Sequence, residues 1–300
     1  MNILVMGGTT FVSRSVAEHF INEGYIVDIF TRGNKAVDYS GYNRHIIGDR
    51  HNPETLDKLE AYDYVIDITA YTKADVESLT QALDLEKLKR YIFCSSGAVY
   101  ESNSNLITES DPTGENPNWR EYGLDKLEAE NYLRENDIPH TIFRPTYIYG
   151  PHNNLYREGY FFDRMEKDLL VKYPIGNTQT QFIHIYDLCL IISSMLKNEK
   201  SLNESYNVTH EHVYTFREML DVYEDLFGKT MNTLGVNTSL KPITRKYFPY
   251  RDVTYKLSID KLKAHGLHVP KFDLLEGLRQ TYTWYQEARP NLSDKAMTDI

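Results

Sequence analysis

Cysteine is nearly absent from this chain of 300 residues, which carries only Cys94 and Cys189. Two thiols cannot build a disulfide framework, so a reducing, cytoplasmic setting is expected. Positive charge is also scarce, with 33 Lys plus Arg against 43 Asp plus Glu and a formal net charge of −10. Polyanion binding rests on basic surface, so nucleic acid is not expected as the main partner. No apolar run approaches the roughly 18 residues of a membrane helix, which argues against a membrane partner. The apolar start, Met1 to Met6, has no basic stretch before it and runs into Gly7-Gly8. It reads as a first strand rather than a signal peptide. Tryptophan is scarce at 2 residues, whereas tyrosine, at 24 against 12 Phe, is the compositional oddity. The remainder, 41 % hydrophobic and 25 % charged, is ordinary for a globular protein of about two domains.

Strand-length apolar runs alternate with helix-period segments through the first half. Ile3–Met6, Ile26–Phe30, His45–Ile47, Tyr64–Ile68, Tyr91–Cys94 and His140–Phe143 read as strands. Helices are expected over Phe11–Ile21, after Pro53, from Asp75 to about Leu88, and from Tyr122 to Glu135. Short connections between alternating elements predict an α/β fold with a doubly wound, Rossmann-type parallel sheet, covered on both faces. Residues 1–151 are taken as a dinucleotide-binding domain and 152–300 as a smaller α+β substrate domain. The strand Phe182–Ile185 and a helix from Asp187, capped by that Asp, to Lys197 could return to the first domain. Helices are expected over Thr215–Phe227 and Leu274–Glu287, and a loose tail after Pro290.

The first strand runs through Gly7-Gly8-Thr9-Thr10-Phe11-Val12-Ser13 into the first helix. A tight strand-to-helix turn aims backbone N–H groups and the positive helix end at a pyrophosphate, and the position of this turn is that of the dinucleotide fingerprint. Thr10 and Ser13 stand where the second and third glycines are usual. The second strand ends in Thr31-Arg32, with no carboxylate for a ribose 2′-hydroxyl; Asp28 lies too early. This leans towards NADP over NAD. Asp49 either meets an adenine amino group or caps the helix after Pro53.

Tyr122 and Lys126 lie one helical turn apart on one face, and no other Tyr has Lys four residues on. An adjacent ammonium favours the phenolate and would lower the Tyr pKa, fitting it for acid/base work. Ser95-Ser96 closes the preceding strand, at the end where such sheets bind ligands. His184 and Asp187 lack the spacing of metal ligands, and Cys94 reads as a packed thiol. Tyr147, Tyr149 and Tyr160 read either as cleft lining or as core.

The ordered set Gly7-Gly-Thr-x-Phe11, Ser95-Ser-x-x-Val-Tyr100, Tyr122-x-x-x-Lys126, Arg144-Pro-x-x-Ile-Tyr-Gly-Pro151 and Phe182-Ile-His-x-x-Asp187 resembles the extended short-chain dehydrogenase/reductases, the NAD-dependent epimerase/dehydratase superfamily. The resemblance implies a catalytic set of Ser96, Tyr122 and Lys126. It also implies a cofactor set of Gly7, Gly8, Thr10, Phe11, Arg32, Asp49 and Lys126. In that family Tyr exchanges a proton with substrate, Lys holds the nicotinamide ribose, and hydride passes to or from NAD or NADP. A small-molecule substrate and a homodimer are further expectations from the family. Phe30-Thr-Arg-Gly33, Gly48-Asp-Arg50, Asp67-Ile-Thr-Ala-Tyr71 and Phe248-Pro-Tyr-Arg-Asp252 resemble the branch containing chloroplast stem-loop-binding proteins. An RNA-binding member without redox turnover is therefore a rival expectation, and a nicotinamide-nucleotide sensor a third. Thr180 stands where sugar-nucleotide enzymes commonly place a diphosphate-binding Arg, although Arg251 is similar to a later one. Gly97-Ala98 lacks the acid pair of the 4,6-dehydratases, so that chemistry is disfavoured.

Overall fold

The computed structural model describes residues 1–102, 105–240 and 243–300. The strands, in chain order, are β1 (Asn2–Met6), β2 (Ile26–Thr31), β3 (Arg44–Ile47), β4 (Tyr64–Asp67), β5 (Arg90–Cys94), β6 (His140–Pro145), β7 (Tyr147–Tyr149), β8 (Val171–Pro174), β9 (Gln179–Thr180), β10 (Phe182–His184), β11 (Glu204–Val208), β12 (Tyr214–Thr215) and β13 (Thr233–Val236). The helices are α1 (Phe11–Asn22), α2 (Pro53–Leu56), α3 (Lys73–Ala82), α4 (Glu121–Glu135), α5 (Glu158–Lys167), α6 (Ile185–Lys197), α7 (Phe216–Phe227), α8 (Asp260–Ala264) and α9 (Leu274–Ala288).

Seven strands form one parallel sheet in the order β11-β6-β5-β4-β1-β2-β3. Along β1, Ile3 and Val5 join the core that holds Val16 and Phe20 of α1 and Ile191, Ile192 and Met195 of α6. Leu4 and Met6 join the opposite core, with Val76 and Leu79 of α3 and Ala129 and Leu133 of α4. Side chains alternate between faces, and both faces are covered, so every β1 position beyond Asn2 is apolar. Strand order reverses between β1 and β4, which opens a crevice at their C-terminal ends.

The last strand of this sheet, β11, reads Glu-Ser-Tyr-Asn-Val and gives no apolar-run signal. It is an edge strand, and Asn207 makes its buried amide useful by accepting from Tyr100 (2.7 Å) and donating to the Ile107 carbonyl (3.1 Å). The predicted Phe182–Ile185 strand instead pairs with β7 in a separate two-stranded sheet. Asp187 does not cap α6: it is buried and accepts from the Lys271 and Phe272 amides (2.9 Å each) and faces His268 Nε2 at 3.0 Å. The tail after Pro290 is held too, because Met297 joins the second core and Lys172 reaches Asp299 at 2.7 Å.

That second core takes the largest share of the tyrosine. Tyr149, Tyr160, Tyr223, Tyr247, Tyr250 and Tyr285 are buried with Phe161, Phe162, Phe182, Phe216 and Phe248. Each such ring contributes about 1.5–3 kcal/mol on burial, enough to hold a lobe built of short helices and two-stranded sheets.

Candidate active site

β1 delivers the chain into Gly7 and Gly8 at φ +106° and +125°. A Cβ on Gly7 would stand 2.6 Å from the Ser13 Cβ, and one on Gly8 2.8 Å from Ile29 Cγ2, so the turn closes only with glycine at both positions. Ser13 replaces the usual third glycine by using its hydroxyl. It accepts from the Gly8 N–H (2.9 Å) and donates to the Thr10 carbonyl (3.0 Å). Thr10 precedes α1 without capping it, so the first N–H groups of the helix face the cleft with no side chain spent on them. Phe11 is held at φ +32°, a region bulky residues rarely enter. Uncapped donors and the positive helix end fit a pyrophosphate.

On the far side of this turn lies a cavity of about 590 Å³ lined by Arg32, Asn34, Lys35, Asp49 and Arg50. Asn52, not Asp49, caps α2, accepting from the Glu54 amide at 3.1 Å. Asp49 holds the His51 amide (2.9 Å) and lines the cavity. Arg50 makes a bidentate pair with Asp67 (3.0 Å each) and donates to Thr69 (2.7 Å), while Tyr91 donates to the same carboxylate at 2.6 Å. Burial would raise the Asp67 carboxyl, but Arg50 outweighs it and holds it below the usual range. Asp28 is spent on Arg44, Tyr62 and Asn43 at the sheet edge.

A second cavity, of about 580 Å³, shares Thr10, Ser13, Thr69 and Tyr71 with the first, so one cleft runs across the ends of β1, β4 and β5. Ser96, Tyr122 and Lys126 all line it. Ser96 caps a short 3-10 turn at Gly97–Val99, accepting from the Ala98 amide at 3.1 Å. The Tyr122 and Tyr255 phenols line the same cavity, and the Ser96 hydroxyl favours the ionised form of each. α4 is pressed onto that turn through Gly123, where a Cβ would stand 2.3 Å from the Ala98 carbonyl oxygen. This close approach brings Tyr122 to Ser96.

Lys126 does not do what its spacing predicted. It is buried and donates to the carbonyls of Ala70 (2.6 Å) and Cys94 (2.7 Å), between the rings of Tyr71 (4.9 Å) and Phe93 (5.1 Å). Burial lowers the Lys126 pKa. The Tyr122 phenol, although the residue is 40 % exposed, is correspondingly not lowered but pushed up to about 12, with desolvation the largest cause and Cys94 adding to it, against Ser96 and Arg157. The Cys94 thiol is likewise pushed up to about 11 by burial.

The cavity carries a charge pattern the whole chain does not. Lys126, Arg157, Arg245 and Arg251 line it, and among the described residues no Asp or Glu does. Arg157 lies over Tyr147 (4.9 Å) and Tyr250 (5.9 Å), and Arg251 over Trp119 (5.2 Å). Arg245 is tied to the Pro249 carbonyl and Asp294. Of the three tyrosines read as cleft or core, Tyr147 lines the cavity while Tyr149 and Tyr160 are buried in the second core. Thr180 is buried, away from this cavity's lining. Among the described residues no three His, Cys, Asp or Glu gather as a metal site.

Sequence reasoning missed the support beneath Ser96. Ser95 donates to buried Glu130 (2.5 Å), which pairs with Arg144 (2.5 and 2.9 Å) and Arg134 (2.7 Å), and Arg144 reaches Tyr100 (2.8 Å). The Arg144 and Arg134 pairs hold the Glu130 carboxyl down against the opposing effect of burial. Arg157 and Arg245 were missed as well; they come from irregular segments whose approach to the cleft has no local signal.

Fold and cleft together define a dinucleotide-fold protein with a Ser/Tyr/Lys cleft, and the chain belongs to the NAD dependent epimerase/dehydratase family, whose sequence model matches residues 3–209. It is similar to the chloroplast stem-loop binding protein of 41 kDa b of Arabidopsis thaliana, at 31% identity over 300 residues, covering 93% of this chain and 78% of that protein. Its fold is similar to that of the UDP-glucose 4-epimerase of Thermotoga maritima solved with UDP-glucose (TM-score 0.78, 21% identity, 97% and 100% of the two chains). It is equally similar to the Thermus thermophilus UDP-glucose 4-epimerase solved with NAD (TM-score 0.78, 20% identity, 96% and 100%). Among the described residues no helix is long and apolar enough to cross a membrane.

Proposed function

We propose that the chain binds a nicotinamide dinucleotide along the cleft and exchanges hydride at a hydroxyl or carbonyl carbon of an anionic, sugar-like substrate, as an oxidoreductase or epimerase. One observation carries the reading: Ser96 and Tyr122 stand at one end of a continuous cleft whose middle is the glycine turn, and the lining of that end is cationic. The dinucleotide, when bound, supplies the hydride acceptor or donor. Thr10 and Phe11 would hold its pyrophosphate, with Gly7 and Gly8, whose N–H groups are already taken, allowing its close approach, and Asp49 would meet its adenine. Arg32 and Lys35 line the adenine end without a hydrogen-bond or ion-pair partner among the described residues, which favours a 2′-phosphate and hence NADP.

The substrate oxygen would sit between Ser96 and Tyr122. Ser96 donates a hydrogen bond that polarises it. At neutral pH Tyr122 is a neutral phenol, poised to give its proton to a carbonyl oxygen as the carbon gains hydride. In the reverse direction Tyr122 must accept a hydroxyl proton, and the positive field of Arg157 already acts to stabilise the phenolate. An ammonium has three protons; Lys126 spends two on Ala70 and Cys94, leaving one for a ribose hydroxyl. Arg157 and Arg251 would meet the substrate's negative charge, in place of the Arg that Thr180 replaces.

The name of the Arabidopsis relative favours a second reading, stem-loop RNA binding. The net charge of −10 weighs against it. The test is to mix the protein and either cofactor with a panel of nucleoside-diphosphate sugars and sugar phosphates, following the absorption of reduced nicotinamide and product stereochemistry. Turnover that Tyr122→Phe lowers by about 10²–10⁴-fold is expected. Cofactor binding without turnover on any panel member would favour a sensor. Salt-dependent RNA affinity without cofactor uptake would favour the stem-loop reading.

A further inference from the structure

Replacing two glycines of the dinucleotide turn by Thr10 and Ser13 ought to loosen a turn that elsewhere relies on close packing. Ser13 fixes one side by holding the Gly8 N–H. The other side is fixed from outside the turn. Tyr39, 31 residues further on, donates its hydroxyl to the Gly8 carbonyl at 2.7 Å. A Cβ on Gly8 would come within 3.3 Å of that phenol oxygen, so the two pack closely. The Tyr39 ring is itself held, with the Arg14 guanidinium at 5.6 Å and the Tyr42 ring at 6.0 Å, edge-on. Arg14 belongs to the first turn of α1 and also pairs with Asp38 (2.9 Å) and Glu18 (3.2 Å). The Gly7 N–H is taken by the Phe30 carbonyl at 2.8 Å.

We propose that Tyr39 is a positioning residue for the cofactor turn: its hydroxyl locks the Gly8 peptide so that the following N–H groups stay aimed into the cleft. The lock supplies the preorganisation that the missing glycines no longer give. Tyr39 touches neither substrate nor cofactor in this role. It rests on the nicotinamide-dinucleotide reading for its purpose, though not for its geometry.

Tyr39→Phe keeps the ring and its contacts with Arg14 and Tyr42 and deletes only the O–H. Affinities of wild type and variant for NADPH, NADH and ADP-ribose are measured by titration, alongside backbone hydrogen exchange over residues 7–13 and the melting temperature. Losing one neutral hydrogen bond predicts about fivefold weaker binding of whichever dinucleotide the wild type takes and of ADP-ribose alike, because both carry the pyrophosphate. Exchange over residues 7–13 should accelerate by a similar factor, with exchange in β2 and β4 changing less and the melting temperature falling by no more than about 2–4 °C. Unchanged affinity and unchanged exchange in the turn overturn the proposal. A global fall in protection with a larger fall in melting temperature also overturns it, as a merely structural role. If wild type binds none of the three ligands, the nicotinamide reading fails, and exchange over residues 7–13 still decides whether Tyr39 locks the turn.

Discussion

Replacing Gly123 by Ala sets helix propensity against packing at the point where α4 meets the Ser96 turn. On propensity alone the change favours the helix by up to about 1 kcal/mol. The added Cβ, however, would stand 2.3 Å from the Ala98 carbonyl oxygen and 3.1 Å from its carbon, and both atoms are backbone. Neither can rotate away, so α4 must move or the turn must deform. Overpacking of this kind costs about 1–3 kcal/mol. The net effect is a loss of roughly 1–2 kcal/mol, a fall of about 2–5 °C in melting temperature by the usual scaling. The functional effect is larger: moving Tyr122 by about 1 Å from Ser96 costs about 10²-fold in turnover. Thermal unfolding and steady-state turnover, measured together on wild type and Gly123→Ala, separate the two. A variant as stable as wild type with unchanged turnover would refute the claim that this glycine sets the Ser96–Tyr122 geometry.

Other perturbations act on separate parts of the molecule. Arg144→Met leaves the buried Glu130 carboxylate with only Arg134 and Ser95 and is expected to cost up to about 3–5 kcal/mol in denaturant unfolding, part of which Glu130→Gln added to it restores. Burial pushes the Glu158 carboxyl up from 4.5 to about 7, against Arg157 and an Asn153 hydrogen bond of 2.7 Å. A raised carboxyl pKa gives stability that is full below the unfolded value and is lost as pH rises through the folded one. Wild type should therefore lose stability between pH 4.5 and about 7, and Glu158→Gln should flatten that limb in unfolding curves taken across pH. Arg32→Ala should weaken NADPH about tenfold while leaving NADH nearly unchanged, in parallel fluorescence titrations; equal losses would remove Arg32 from the 2′-phosphate role.

Legibility in the sequence followed the range of the interactions. The alternating strands and helices of residues 1–150 were readable because a sheet buried on both faces writes itself as local apolar runs, as in Ile3–Met6 and Tyr91–Cys94. β11 escaped, since an edge strand tolerates Ser205 and Asn207, and Asn207 is justified only by Tyr100 and Ile107 far away in sequence. The same limit governs the cleft. The glycine turn, Ser96 and the Tyr122–Lys126 spacing stood out, but spacing could not say where the ammonium points. Lys126 goes to two strand-end carbonyls, a destination set by β4 and β5. The tyrosine excess likewise resolves only in three dimensions: the second core takes the largest share, and a few rings, among them Tyr71, Tyr147 and Tyr255, line the cleft.

Above all, a nicotinamide dinucleotide is proposed to occupy the cleft beside Tyr122. Trp119 lines the same cavity, and Trp284, the other tryptophan, lies in the second lobe, within 5.2 Å of His152. Titrating wild type and Trp119→Phe with NADPH and NADH, while following tryptophan emission and its transfer to reduced nicotinamide, reads the site directly. Saturable quenching with sensitised nicotinamide emission is expected in wild type, most of it lost in Trp119→Phe although that variant still binds. Absence of saturable quenching by either cofactor, or quenching carried by Trp284, would contradict it.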